Sequence, residues 1–253
     1  NPAGSHFLVD LNEAGGLQAV LKRLDEMGLI QGDARTVNGR TVAENIAQAV
    51  IRDSEVIRTK ETAYSQTGGL AVLWGNLCPD GAVVKKGAVL PEMMTHTGPA
   101  KCFDSEEACI LGLSAGKVVD GDVVVIRYEG PKGGPGMREM LSPTATLAGR
   151  GLDRTCALIT DGRFSGVSKG ASIGHISPEA ASGGLLAYVM DGDLIKIDID
   201  KHCLELLVPE EEIERRRKEM TPKALKEVTG YLKRYRSLVT SASQGAVLDD
   251  SGC

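Results

Sequence analysis

Asp120-Gly121-Asp122-Val123-Val124-Val125-Ile126 and Asp191-Gly192-Asp193-Leu194-Ile195-Lys196-Ile197 share one design. Each opens on an Asp-Gly-Asp turn and runs into an apolar segment of strand length. Two such turn-then-strand units among other short β-rich runs point to a barrel or sandwich rather than a doubly wound sheet. The runs expected as strands are residues 70–74, 82–84, 123–128, 157–160, 185–189, 194–199 and 204–208. Turn signals such as Pro79-Asp80-Gly81 separate them. With 31 glycines and only 4% aromatics, the chain reads as tight turns around aliphatic layers.

Outside this β-rich stretch the texture is helical. Leu17, Val20, Leu21 and Leu24 fall at i, i+3, i+4 and i+7, with Gly28 as the stop. Thr41 and Glu44 form a capping box ahead of Ile46, Ala47 and Val50. Residues 105–114 read as a further helix, with Ser105 as N-cap and Glu106 and Glu107 in the first turn. After Pro209 the pairs Glu211/Arg215, Glu212/Arg216 and Glu214/Lys218 stand at i, i+4 and read as a solvated helix face. The expected organisation is a helical segment over 1–62, a β-barrel-like domain over 63–208 and a helical extension over 209–253.

The 253 residues are 42% hydrophobic and 25% charged, with a formal net charge of −5, which is ordinary for a globular protein. The mild acidity gives no electrostatic reason to expect nucleic acid or an anionic membrane as partner. No apolar run reaches the length of a membrane-spanning helix. Residues 1–6 have neither the basic nor the apolar region of a signal peptide. Without an initiator Met, the chain is expected to be a piece of a longer one. Cys78, Cys102, Cys109, Cys156, Cys203 and Cys253 are scattered, with no C-x-x-C pair. They are expected to be reduced thiols of a cytoplasmic protein, not a metal framework of their own.

Two glycine-rich segments carry the candidate chemistry. Tyr128-Glu129-Gly130-Pro131-Lys132-Gly133-Gly134-Pro135-Gly136-Met137-Arg138-Glu139-Met140 follows a strongly apolar strand and contains neither a P-loop nor G-x-G-x-x-G. Its Glu139 could offer carboxylate oxygen to a hard cation such as Mg²⁺. Thr160-Asp161-Gly162-Arg163-Phe164-Ser165-Gly166-Val167-Ser168-Lys169-Gly170 also leaves an apolar strand. It fails the G-x-S-x-G hydrolase pattern. A serine can still handle protons where cations stabilise its alkoxide, and Arg163 and Lys169 are close in sequence. His175 is a candidate acid or base.

These strings resemble a known family. Gly69-Leu70-Ala71-Val72-Leu73 with Gly75-Asn76-Leu77, then Pro79-Asp80-Gly81-Ala82-Val83-Val84-Lys85, is one signature. Residues 129–144 are a second. Thr160-Asp161-Gly162-Arg163-Phe164-Ser165-Gly166 with Gly174-His175-Ile176-Ser177-Pro178-Glu179-Ala180-Ala181 is a third. Together they look like the C-terminal part of the dihydroxy-acid, phosphogluconate and sugar-acid dehydratases, over residues 1–248.

The resemblance implies a swivelling β/β/α domain with a β-barrel-like core, flanked by N- and C-terminal helices. It implies an enzyme that removes water from a 2,3-dihydroxy acid to give a 2-oxo acid. An iron–sulfur cluster would act on the departing 3-hydroxyl, Mg²⁺ would hold the substrate, and a serine would take the C2 proton. Glu139 matches an Mg²⁺ ligand and Ser165 the proton acceptor. Arg163, Gly166, Lys169 and His175 are the expected substrate contacts. The cluster cysteines and remaining Mg²⁺ ligands belong to the family's N-terminal half, so this chain is expected to carry half a site and to be inactive alone. Val167 departs from the glycine common at that place in dihydroxy-acid dehydratases, which bears on substrate shape.

Branched-chain amino acid synthesis, leading to isoleucine and valine, is the expected role, because residues 76–81 look more like those enzymes. A sugar-acid dehydratase is the alternative within the class. A stand-alone, non-catalytic interaction domain is the alternative outside it. The expected partners are the chain's own N-terminal domain, a small dihydroxy acid and a second copy in a homodimer.

Overall fold

The computed structural model describes residues 4–166, 168–221 and 223–249. Val167 and Cys253 lie outside the described residues. The chain divides after Gly68 into two compact units. No helix among the described residues is long and apolar enough to cross a membrane.

The first unit holds three short helices, α1 (Leu8–Glu13), α2 (Gly16–Glu26) and α3 (Val42–Ile46). The Thr41 hydroxyl accepts from the Glu44 N–H while the Glu44 carboxylate accepts from the Thr41 N–H, the expected capping box. Gly28 follows α2 with φ +68°, the left-handed stop that a glycine adopts freely. The apolar stripe of α2 is only partly covered: Leu17 is 71% exposed, whereas Ala14, Ala19 and Ile57 form a small core.

The second unit is an eight-stranded sheet. Its strands are β1 (Ala71–Leu73), β2 (Gly81–Val84), β3 (Thr95–Phe103), β4 (Val123–Ile126), β5 (Ala157–Thr160), β6 (Ser172–Ser177), β7 (Leu194–Asp198) and β8 (Cys203–Leu206). Helix α4 (Glu106–Ser114) joins β3 to β4, α5 (Leu141–Gly149) joins β4 to β5, and α6 (Glu210–Glu219) and α7 (Gly230–Leu238) follow β8. The order is β1-β2-β6-β5-β4-β3-β7-β8. The four central strands run parallel and the flanking pairs antiparallel. Beyond the end of β1, the Trp74 N–H donates to the His202 carbonyl at 2.9 Å and the Leu204 N–H to the Trp74 carbonyl at 2.8 Å. That bridge joins the two edges, leaving no free ladder there. Aliphatic residues from nearly every strand fill the inside, among them Leu73, Val84, Val125, Ile159, Ile173, Ile195 and Leu204.

The two Asp-Gly-Asp turns are built alike. Gly121 and Gly192 have φ +90° and +91°. The Asp122 carboxylate accepts from the Val119 N–H at 2.9 Å, and that of Asp193 from the Met190 N–H at 2.7 Å. They launch β4 and β7, the two neighbours of β3.

Some elements differ from expectation. Residues 185–189 are not a strand: Leu185–Tyr188 is a buried 3-10 turn. An apolar run without alternation fits a buried turn as well as a strand. Strand β3 went unread because Gly98 and Pro99 look like breakers. Residues 95–99 pair with β7 and residues 100–103 with β4, so Pro99 sits where the strand changes neighbours and its missing N–H is not needed. The α6 charges are not simply solvated. Arg216 is buried and grips both oxygens of Asp193 as well as Glu212, fastening the helix onto an Asp-Gly-Asp turn. Arg215 pairs with Glu212 and Glu219 rather than with Glu211.

Candidate active site

Strands β3 to β6 are parallel and in register, with Phe103 beside Ile126, Ile126 beside Thr160 and Ile159 beside Ile173. Their C-terminal ends therefore lie at one end of the barrel. Both glycine-rich loops leave from this end, and His175 lies within β6 at the same end. Ligand sites in parallel sheets favour this end, where loops converge on a rigid frame.

Buried carboxylates anchor the first loop. Asp161, fully buried just after β5, accepts from the N–H groups of Tyr128 (3.1 Å), Glu129 (2.9 Å) and Ala180 (2.9 Å). Burial pushes its carboxyl up to about 7 against those donors. Glu179 accepts from Lys132 and Gly133 at 2.9 Å, and burial raises its pKa as well. Glu129 accepts from the Glu106 N–H at 2.9 Å and meets Lys226 at 3.3 Å. A Cβ on Gly130 would stand 2.6 Å from the Glu179 carboxylate, so only glycine allows this close packing. Tyr128, Met137 and His175 all take left-handed backbone, with φ of +66°, +55° and +60°. Non-glycine residues held this way cost about 1–3 kcal/mol each and concentrate at functional sites.

The second loop faces a cavity of about 190 Å³ lined by Ser165, Gly166, Ser168, Ser172, His175 and Lys85. Leu70, Val83 and Phe164 give it an apolar wall. Ser165 is half-buried and Gly166 exposed. Ser168 is only 6% exposed, and its Oγ has no hydrogen-bond partner among the described residues. Burial, and then the charge of Arg163, lower the pKa of His175, so its imidazole is held neutral.

The structure thus gathers Ser165, Gly166 and His175 around one cavity. Glu139 is placed beside them rather than in the cavity wall. It forms a parallel bridge with Arg163, two residues before Ser165. Its carboxylate has no hydrogen-bond or ion-pair partner among the described residues. Arg163 donates from Nε to the Met137 carbonyl at 2.7 Å, tying the two loops together outside the cavity lining. Lys169 is exposed and lines a separate small cleft with Thr144 and Asp153. Sequence reasoning passed over Lys85 and gave Ser168 no binding role. A cation directly after a short apolar strand was the available signal for Lys85.

A half-buried, unpaired carboxylate fits one oxygen ligand of Mg²⁺. No group of three or more His, Cys, Asp or Glu among the described residues is arranged to hold a metal ion. The described cysteines are not grouped as an iron–sulfur cluster would need. Burial pushes the Cys78, Cys102 and Cys109 thiols up to about 12.

A barrel whose parallel-strand ends gather a serine, a neutral histidine and an unpaired carboxylate is the setting in which the sequence matches fall. Residues 55–246 match the dihydroxy-acid/6-phosphogluconate dehydratase C-terminal family, and residues 1–45 match its N-terminal counterpart. The chain belongs to this family. Among individual proteins it is similar to those named dihydroxy-acid dehydratase. The identity is 61% with that of Lachnospira eligens (99% of this chain, 45% of the relative), 61% with that of Moorella thermoacetica (98% and 45%) and 58% with that of Acetivibrio thermocellus (98% and 45%). The chain therefore spans under half the length of these relatives.

Proposed function

We propose that this chain supplies the proton-accepting C-terminal part of a dihydroxy-acid dehydratase, a hydro-lyase that turns 2,3-dihydroxy acids into 2-oxo acids on the route to isoleucine and valine. The observation that carries the reading is the cavity at the parallel-strand ends, with Ser165 and a neutral His175 facing a compact apolar wall. Similarity to proteins named dihydroxy-acid dehydratase supports it. The wall of Leu70, Val83 and Phe164 suits a short branched aliphatic group better than a polyol, which counts against the sugar-acid alternative.

In this reading the Ser165 Oγ takes the proton from C2. The C2–H electron pair forms the C2–C3 double bond as the C3–O bond breaks, and the departing hydroxide becomes water by taking up the proton that Ser165 released when its alkoxide formed. The enol then tautomerises to the ketone. A serine of ordinary basicity cannot remove a carbon-bound proton unless positive charge stabilises both its alkoxide and the developing enolate. Glu139 would hold Mg²⁺ together with residues outside this chain, and the bound ion would supply such charge. The described cysteines are not grouped to hold an iron–sulfur cluster, so residues outside this chain would hold it. His175, held neutral, stays close to the substrate without adding charge.

The proposed partners are the N-terminal part of the full-length protein, a small dihydroxy acid and a second copy in a cytoplasmic homodimer. The test is to express the full-length protein and trap the 2-oxo acid formed from 2,3-dihydroxy-3-methylbutanoate and from gluconate. Product from the branched acid is expected. Product from gluconate alone would establish the sugar-acid reading instead, and sedimentation of the same sample reads the dimer.

A further inference from the structure

Lys85 stands immediately after β2, whose Val84 pairs with Ile173 of β6. Its ammonium donates to the carbonyl of Gly166, the residue after Ser165. Backbone and hydroxyl ties hold the rest of the loop past Ser165. The Ser168 N–H reaches the Ser165 carbonyl at 3.3 Å, and the Gly170 N–H reaches the Ala88 carbonyl at 3.1 Å. The Ser172 hydroxyl reaches the Lys169 carbonyl at 3.3 Å.

The charge on Lys85 is not spent on a carboxylate. Its neighbour Lys86 pairs with Asp200 at 2.9 Å, whereas no acidic group among the described residues lies within ion-pair distance of Lys85. With His175 neutral, Lys85 is the one fixed charge among the described residues that line the cavity. A cation left unneutralised beside a hydroxyl favours the form of that hydroxyl that has lost its proton. Its bond to the next carbonyl also restrains the backbone that aims the serine.

We propose that Lys85 is a positioning residue for Ser165: its ammonium fixes the chain just after the serine and sets positive charge in the same cavity. This rests on the reading of Ser165 as the proton acceptor. The loop and the strand end act as one unit, with β2 supplying the rigid base and β5 the reactive side chain. Misplacing a reacting group by about 1 Å costs about 10²-fold in rate, so losing the tie should appear in turnover before binding.

The experiment uses the full-length enzyme with Lys85→Met, Lys85→Arg and Ser165→Ala. It measures kcat, KM, the pH–rate profile and amide hydrogen exchange over residues 164–170. Lys85→Met should lower kcat about 10²-fold with KM within about threefold, move the basic group's limb of the pH profile to higher pH and speed exchange in the loop. Lys85→Arg, which keeps charge and donors, should restore part of both the rate and the exchange protection. Wild-type kcat with an unmoved limb in Lys85→Met overturns the proposal, whatever the exchange. A fall in kcat with unchanged exchange and no rescue by arginine overturns it as well, since the lysine then does not act through the loop. If Ser165→Ala stays active, the proton-acceptor reading itself has failed. If Ser165→Ala is inactive and Lys85→Met is not, only the lysine's role has failed. Should Lys85→Met not fold, Lys85→Gln carries the same comparison.

Discussion

The loops over 128–140 and 161–170 look alike in sequence, each a glycine-rich stretch after an apolar strand, yet they are held in opposite ways. The first wraps the carboxylates of Asp161 and Glu179, which accept from its backbone N–H groups, while its own Glu129 accepts from the Glu106 N–H and Arg163 and Arg236 grip its carbonyls. The second is paired at its start, where the Arg163 N–H donates to the Arg138 carbonyl at 3.0 Å and the His175 N–H to the Gly162 carbonyl at 2.8 Å, but past Ser165 it rests on bonds of 3.1–3.3 Å and the ammonium of Lys85. One loop is scaffold and the other presents the serine. Rigid supports beneath a less constrained reactive segment are what positioning demands. Glycine has two uses here: at Gly130, Gly133 and Gly134 of the first loop, and at Gly162 and Gly170 of the second, it permits close packing, whereas at Gly166 beside the serine it leaves space.

The largest expected effect falls on the second loop. Ser165→Ala in the full-length enzyme should lower kcat by about 10²–10⁴-fold, the usual worth of a general base. The thermal midpoint should hardly move, because a half-buried loop hydroxyl contributes little burial. Steady-state kinetics with a melting curve on the same sample reads both. Retention of more than about a tenth of wild-type kcat would make Ser165 a turn residue and His175 the next candidate.

One substitution placed in each loop tests the contrast directly. An alanine Cβ at Gly130 would lie 2.6 Å from the Glu179 carboxylate oxygen and 2.9 Å from its Cβ. Overpacking of this kind costs about 1–3 kcal/mol, so Gly130→Ala should lower the urea midpoint clearly. At Gly166, apart from its chain neighbours, no heavy atom of the described residues lies within 4 Å of the added methyl. Gly166→Ala should keep stability within about 0.5 kcal/mol. The methyl should still lower kcat/KM, roughly 10–200-fold if it takes a substrate group's place. Equal destabilisation by both changes would break the distinction between the loops.

The barrel was legible in the sequence because its turns and strands announce themselves locally. The Asp-Gly-Asp pair sits at the heads of β4 and β7, and the capping box at α3 formed as read. Strand β3 was hidden because its Gly98 and Pro99 make sense only once two different neighbours are known. The Ser165 segment could be quoted from its residues and their family resemblance. The Lys85 tie could not, since it joins positions far apart in the chain through a register that no local pattern encodes. Likewise Arg163 and Lys169 stood next to the serine in sequence, but backbone direction sends them outside the cavity lining.

The buried carboxylates of the scaffold give it a pH signature. Asp161 has an ordinary value of 3.8 and is pushed by burial to about 7. Between these values the folded state keeps a proton that the unfolded state has released. Its contribution to stability is thus fully present below 3.8 and is lost as pH rises through about 7. Urea midpoints of wild type minus Asp161→Asn, taken across that window, should fall with rising pH. The variant should also be less stable by about 1–3 kcal/mol, because an amide nitrogen would then face backbone donors. A difference that rises with pH would show the carboxylate to be ionised and its three N–H bonds to outweigh burial.

The smallest effect concerns the link between the loops. His175 lies within β6, lining the cavity, and its pKa is lowered first by burial and then by the Arg163 charge. The sign of its pH dependence is opposite to that of Asp161. Stability from keeping His175 neutral is present above its ordinary value and is lost as pH falls through the lowered one. Arg163→Gln removes the second cause and leaves the first. The imidazole, followed by NMR, should then titrate higher than in wild type but still below its ordinary value. A return to the ordinary value would make the Arg163 charge the chief cause, and the serine loop would then be coupled electrostatically to the scaffold through that one guanidinium. An unmoved titration would leave Arg163 as a tether alone, with its bond to the Met137 carbonyl as its whole contribution to the site.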